Sequence, residues 1–282
     1  MLDKLSADLF NAQTARYCSD LDVTVHSTIS STNDWCLQQC ESGRKLPFAC
    51  FAENQTSGKG RRGKRWIMAP GSNIALSVSW PFDFSLQNIH LLPLSIAIVL
   101  ADTLSSYKLE HVGIKWPNDV YIRDKKIAGI LIETQPLRGA GMEAKNQSAV
   151  VIGVGFNFDM SSGASTADKE MQEIFSRITD MRRELKSQGI MMNIDRHDLA
   201  SSLLQNIVST CQHFDERCET VLGEFRSRYD YCDNKTVEIS LDNQETLTGV
   251  ARGVNDAAEL LVMIDGKMHV FNSADVSVKT SL

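Results

Sequence analysis

Two strand-like runs, Phe48 to Glu53 and Asn73 to Trp80, are joined by a long polar loop, Gln55 to Ser72. That loop carries Gly58-Lys59-Gly60-Arg61-Arg62-Gly63-Lys64-Arg65-Trp66, in which five residues are basic, three are glycine and the last is an indole. A strand on either side narrows what the loop can be. As G-x-G-x-x-G it matches the dinucleotide fingerprint, but that motif must open a helix whose N-terminus holds a pyrophosphate. Here Pro70-Gly71 and a strand follow. As G-x-x-x-x-G-K-[ST] it fails at Arg65, which replaces the Mg²⁺-holding hydroxyl, and again lacks the helix. As a nucleic-acid surface it offers charge but one stacking ring. Apart from a plain solvated loop, the reading left is a mobile segment that folds over a small anionic ligand. Glycines let the backbone approach phosphate, arginines donate charge-assisted hydrogen bonds, and Trp66 can stack on a base. Five like charges with three glycines have little to bury, so residues 57–66 are expected to order only around a ligand.

The rest of the chain is ordinary for a globular protein. Its 282 residues suit about two domains. With 43% hydrophobic and 23% charged residues it can build a sizeable core. Lys and Arg number 29 against 35 acidic residues, a net charge of −6, which argues against a general nucleic-acid coating protein. The longest apolar stretch, Leu91 to Ala101, is short for a membrane span and is broken by Pro93 and Ser95. Asp3, Lys4 and Asp8 do not suit a signal peptide, so a cytoplasmic protein is expected. The seven cysteines, at 18, 36, 40, 50, 211, 218 and 232, include no CxxC pair, and the six histidines form no HxxxH. A dedicated metal site or disulfide framework is therefore not expected.

Periodicity sketches the elements. Leu2, Leu5, Leu9 and Phe10 suit an amphipathic helix over 2–17. Asp22 to Ser27 reads as a strand, and Ser31-Thr32-Asn33-Asp34 has the spacing of a capping box opening a helix to about Glu41. His90 to Tyr107 reads as a packed helix, 111–134 as two strands about Arg123-Asp124-Lys125, and Ala149 to Phe158 as a strand containing glycines. Residues 168–188 and 195–229 read as mostly helical. From Thr236 short alternating segments take over, with Asp265-Gly266 marking a hairpin. The expected division is 1–228 and 229–282, the second part a small β-barrel.

Four further segments carry chemistry. Lys115-Trp116-Pro117-Asn118-Asp119 precedes Lys126-Ile127-Ala128-Gly129-Ile130-Leu131-Ile132-Glu133. Gly153-Val154-Gly155-Phe156-Asn157 forms a strand end, and Glu53-Asn54-Gln55 leads into the basic loop. A lone lysine is ordinarily a solvated surface charge. Lys126, however, enters an apolar strand beside Ala128 and Gly129, where a ligand can lie against the backbone. Gly153 and Gly155 would weaken an ordinary strand, and close approach by a ligand explains them better.

Together with Ser30-Ser31-Thr32-Asn33, these motifs resemble those of the biotin protein ligases, in order and spacing, from about residue 28 to 160. The resemblance implies an α+β fold: a mixed central sheet with helices packed on one side, of the class II synthetase-like biotin/lipoate ligase kind, followed by a small SH3-like β-barrel. It implies an ATP-dependent, AMP- and pyrophosphate-forming ligase that makes biotinyl-5′-adenylate and passes biotin to a lysine of a biotin carboxyl carrier domain. ATP with Mg²⁺ would be the cofactors.

The resemblance also implies site residues. Lys126, Arg61 and Asp119 would be catalytic, with Asp119 handling the metal–phosphate. Biotin would meet Ser31, Thr32, Asn33, Gln55, Gly58, Lys59, Arg61, Lys126, Gly129, Leu131, Gly153 and Gly155. ATP and the adenylate would meet Arg61, Arg62, Trp66, Lys115, Asn118, Asp119, Lys126 and Asn157, the last reading adenine. No metal site beyond Mg-ATP is implied. Two departures stand out: Lys59 replaces the first arginine of the family's G-R-G-R-R-G, and Asn54 replaces a residue that is often aromatic.

About thirty residues precede Ser31, too few for the winged helix-turn-helix of the family's repressors. A ligase without DNA binding or membrane attachment is expected, and a homodimer is allowed. Two alternatives stay open: a lipoate or octanoyl ligase of the same fold, and a non-catalytic nucleotide- or RNA-binding module.

Overall fold

A computed structural model describes residues 4–68, 71–83, 88–137, 147–161, 169–241, 245–272 and 276–280. Seven strands form one sheet: β1 (Asp22–His26), β2 (Phe48–Ala52), β3 (Asn73–Asp83), β4 (Val112–Lys115), β5 (Asp119–Ile122), β6 (Lys125–Pro136) and β7 (Gln147–Asn157). Their spatial order is β1-β2-β3-β7-β6-β5-β4. β1 and β2 are parallel and every other neighbour is antiparallel, so the sheet is mixed as expected. β3 and β7 pair from Asn73↔Asn157 to Asp83↔Gln147 and form its spine.

Helices cover both faces, whereas the sequence suggested one. All five residues of β2 are buried. Its Ala49 and Phe51 join the main core, and Phe48 and Cys50 join a separate cluster with Cys36 and Cys40. Those two cysteines lie on α2 (Thr32–Glu41), preceded by α1 (Ala7–Thr14). Fully apolar strands require cover on both sides. The opposite face carries α3 (Leu92–Ser106) and the helix Arg196–Gln212.

Residues Ile89–Ser106 are long and apolar enough to cross a membrane by length and composition, with mean hydropathy 1.6, but 67% of that window is buried in the core. Pro93 stands in the first turn of α3, where its missing N–H breaks no helical bond. Ser95 and Thr103 return their hydroxyls to the carbonyls of Leu91 and Val99.

Other boundaries differ locally. The 111–134 region makes three strands, because Trp116-Pro117-Asn118 turns the chain between β4 and β5. The helical expectation over 168–188 starts outside the described residues and resolves into Lys169–Ser176 and Met181–Ser187, the second capped by Asp180. The helix expected over 2–17 also begins outside them.

Strands β8 (Thr236–Leu241), β9 (Thr246–Val254), β10 (Leu260–Ile264), β11 (Lys267–Phe271) and β12 (Val276–Thr280) form a second, antiparallel sheet in the order β11-β10-β9-β8-β12. The Asp265-Gly266 turn has both residues at positive φ, 47° and 76°, as a two-residue hairpin requires. The inner face of this sheet, including Val237, Ile239, Leu260 and Val262, shares the core of the large sheet. Trp116 Nε1 donates to the Ala258 carbonyl at 2.8 Å, tying the two sheets together.

Candidate active site

A cleft of about 200 Å³ opens on the large sheet beneath the basic loop. Every residue selected from the sequence lines it except Gly58 and Asn157.

One end is polar and built by the start of α2. Ser31 caps the helix by accepting from the Asp34 N–H at 3.3 Å. That fixes Thr32, whose N–H and hydroxyl both donate to Gln55 Oε1, at 2.8 and 3.1 Å. Beneath them Ser77 on β3 donates to Asn33 Oδ1 at 2.6 Å and stands 2.8 Å from Thr32 Oγ1. Asn33 Nδ2 donates to Glu133 Oε2 at 2.9 Å. Ser31, Thr32 and Asn33 are all buried and line the cleft. Ser77 and Glu133 were not selected from the sequence. The available signal was the alternation of Asn73, Ser77 and Ser79 on one face of a strand whose other face is apolar, since a buried hydroxyl must find a polar partner.

The basic loop is a small hairpin in this structure. The Trp66 N–H donates to the Gly58 carbonyl at 2.9 Å, the Gly60 N–H to the Lys64 carbonyl at 2.7 Å, and Lys59 bridges Arg65. Gly58 lies at the root, where a Cβ would come within 2.6 Å of the Trp66 oxygen, so it shapes the loop from outside the cleft. Lys59, Arg61 and Arg62 find partners. Lys59 Nζ meets Asp34 Oδ1 at 2.5 Å, and this contact raises the lysine pKa. Arg61 Nη1 donates to Asn118 Oδ1 at 3.2 Å; burial lowers its pKa, opposed by Asp119. Arg62 reaches the Ser240 carbonyl of the second sheet.

The third wall is the β4–β6 meander. Asn118 Nδ2 donates to the Ile130 carbonyl at 2.5 Å, which holds its oxygen toward Arg61. Lys126 folds back over Gly129 to meet Asp119 Oδ1 at 2.7 Å. A Cβ at Gly129 would come within 2.7 Å of that ammonium nitrogen, so a side chain there would displace the lysine from this position. Lys115 donates to the Tyr121 hydroxyl at 3.4 Å, and burial lowers its pKa.

Asn157, expected to read adenine, is not part of the cleft lining. It is 1% exposed and stands behind the cleft. Its amide donates to the Thr179 and Lys126 carbonyls and accepts from Asn73 Nδ2 at 2.8 Å. At the end of β7, neighbours from three segments use up its polar capacity. Here it braces the backbone that carries Lys126.

The lining holds seven basic side chains (Lys59, Arg61, Arg62, Lys64, Arg65, Lys115 and Lys126) and one carboxylate, Asp119. A protein of net charge −6 thus places seven of its 29 Lys and Arg side chains at one cleft. Low-dielectric walls strengthen their field, and the arrangement suits a polyanion beside a small polar headgroup. Among the described residues no group of three or more His, Cys, Asp or Glu side chains is placed to hold a metal ion.

The sequence profile of the biotin/lipoate A/B protein ligase family matches residues 25–157, which span the cleft. The chain is 30% identical to the bifunctional ligase/repressor BirA of Escherichia coli over 262 residues, covering 92% of this chain and 74% of that protein. It belongs to the biotin/lipoate A/B protein ligase family. It is also 27% identical over 261 residues to the biotin–[acetyl-CoA-carboxylase] ligase of Mycobacterium tuberculosis, covering 91% of this chain and 88% of that one. Its fold is that of the Aquifex aeolicus biotin protein ligase solved with biotin and ATP, with TM-score 0.70 and 21% identity over 92% of this chain and 99% of that one. The Leishmania major biotin protein ligase solved with biotinyl-5-AMP shares the fold at TM-score 0.55 and 19% identity, covering 89% and 98%. For this family member the α+β reading stands, with a small antiparallel sheet following the mixed one.

Proposed function

We propose that this chain is an ATP-dependent biotin protein ligase. One observation carries the reading: the polar pocket of Ser31, Thr32 and Gln55 and a cluster of seven cations line the same cleft. A ureido headgroup with a carboxylate tail, laid beside a triphosphate, matches that division. An oxygen of the biotin carboxylate attacks the α-phosphorus of ATP, pyrophosphate leaves, and a mixed anhydride forms. The ε-amine of a lysine on a carboxyl carrier domain then attacks the acyl carbon, AMP leaves with the bonding pair, and the amine gives up a proton.

Positioning and charge stabilisation supply the catalysis. Lys126 and Arg61 offset the charge growing on the carboxylate and α-phosphate, and Asn118 and Asp119 hold those two cations in place. Lys115, Arg62 and Trp66 serve the nucleotide. Asp119, the cleft's one carboxylate, suits a Mg²⁺ that keeps most of its ligands from phosphate and water. Asn33, Leu131 and the glycines at 129, 153 and 155 shape the biotin floor, and Gly58 and Lys59 set the loop. Residues 1–228 form the catalytic body and 229–282 an accessory β domain.

Purified protein given ATP and either biotin or lipoate, then a carboxyl carrier domain, tests the reading. Biotin-dependent release of pyrophosphate and labelling of one carrier lysine are expected. Transfer of lipoate alone, or nucleotide binding without transfer, overturns it.

A further inference from the structure

Asp230 and Tyr231 leave the helical region and run beside β4 before the second sheet begins at Thr236. Asp230 bridges Ile114 in parallel, and the Tyr231 N–H donates to the Ile114 carbonyl at 3.1 Å. This lends β4, an edge strand, one short extra partner. The Tyr231 side chain crosses Gly113, where an added Cβ would lie 3.1 Å from its own Cβ. It then stacks on Tyr121, with ring centroids 4.9 Å apart and planes 26° from parallel. Its hydroxyl donates to Asp124 Oδ1 at 2.8 Å in the β5–β6 turn. Lys235 covers the far side of the ring, 3.4 Å from the centroid, and pairs with the same Asp124.

The ring so clamped lies behind the cleft wall, against Lys115. Tyr121 sits opposite Lys126 in the β5–β6 register and accepts from Lys115 Nζ. Both lysines line the cleft.

From this geometry we infer that Tyr231 is a positioning residue for adenylation: by stacking on Tyr121 it sets where Lys115 presents its ammonium group to the nucleotide phosphates. The role in adenylation rests on the ligase reading above; the positioning of Lys115 does not. Burial lowers the Lys115 pKa, and the charged or titratable groups facing it are Asp119, Cys232, Lys126 and Lys64, with Tyr121 against its ammonium. Removing the Tyr231 ring admits water beside Tyr121, which relieves that desolvation and raises the Lys115 pKa.

The test compares wild type, Y231A and Y231F. The Lys115 ammonium is titrated by ¹³C/¹⁵N NMR without ligand, and biotin-dependent ATP–pyrophosphate exchange is measured alongside. In Y231A the Lys115 pKa rises by about half a unit or more. Its KM for ATP rises about fivefold to tenfold, the scale of one lost aromatic pair, while KM for biotin stays within about twofold. Y231F keeps the ring and behaves as wild type in both measurements. If Y231A does not accumulate as folded protein, Y231L, which keeps bulk over Gly113 without the ring face, is read in its place. An unchanged Lys115 titration in Y231A, an equal rise in both KM values, or a Y231F variant as damaged as Y231A overturns the inference. A wild type that makes no adenylate overturns the ligase reading, and the titration still decides whether Tyr231 positions Lys115.

Discussion

Trp66 occupies the space that a side chain at position 155 would need: a Cβ on Gly155 would come within 2.3 Å of its Cε2. The indole of the basic loop is therefore seated on β7 near its C-terminal end. Lys126 Nζ stands 5.4 Å from its ring, and its Nε1 is buried with no partner. Gly155→Ala is expected to push Trp66 off this seat. KM for ATP should rise about tenfold, with a stability loss of about 1 to 3 kcal/mol from overpacking. Pyrophosphate exchange and thermal melts measure the two effects, and wild-type values for both would mean that the loop docks elsewhere.

Lys126→Ala removes the ammonium laid over Gly129 and leaves Asp119 without its partner. Adenylate formation is expected to fall by two decades or more, the scale of one preorganised electrostatic group at roughly 3 kcal/mol. The circular dichroism spectrum should not change, because the side chain lies on the cleft wall. A folded variant turning over near the native rate refutes the role.

Arg61 bridges the loop to Asn118 across the cleft. Arg61→Gly should still make biotinyl-adenylate but hold it loosely, so that the escaped anhydride acylates stray amines. Serum albumin incubated with ATP, biotin and the variant, with no carrier domain present, should be labelled faster than with wild type. Equal labelling removes the lid role from Arg61 without touching the ligase reading.

Asp34 anchors the loop from the first turn of α2 through its contact with Lys59. Asp34→Asn keeps the size and removes the charge. The pair is half exposed, so the effect is modest: biotin should dissociate about two to five times faster, and less so in high salt. Stopped-flow release at two ionic strengths measures it. The double exchange Asp34→Lys with Lys59→Asp should restore part of the retention, and no restoration counts against the latch.

Asp230 carries a pH signature. Burial is the main cause that pushes its carboxyl up to about 6, against hydrogen bonds from the Cys232 and Asp233 N–H groups that favour the charge. The folded state binds this proton more tightly than the unfolded chain. Stability is therefore intact below the ordinary aspartate range, falls as pH rises toward 6, and is penalised above it. Asparagine keeps the accepting oxygen without the charge. Asp230→Asn should therefore be more stable than wild type by about 1 to 2 kcal/mol at pH 7.5, with the gap closing toward pH 4. Melting curves that differ equally at both pH values would assign the gain to another cause.

Much of this protein is written in short stretches of its chain. The cap at Ser31, the turn at Asp265-Gly266, the switch to short alternating strands after Thr236 and the glycines of the loop all act over a few residues. Their chemistry can therefore be read without knowing the fold. So can the motif lysines and arginines, whose spacing carries the family resemblance. What the sequence left undecided was who meets whom. Asn33 packs on Gly153, with Ser77 and Glu133 fixing its two ends, only because β3, β7 and β6 lie side by side in one register. Asn157 is drawn behind the cleft because its strand end meets Asn73 and Thr179 there. Helices cover both faces because β2 is apolar on both sides, and Tyr231 reaches Tyr121 because the linker borrows the edge of β4. Each of these contacts joins segments far apart in the chain. Local propensity carries no information about such partners; the burial of a shared core and the hydrogen-bond register of the sheet select them together.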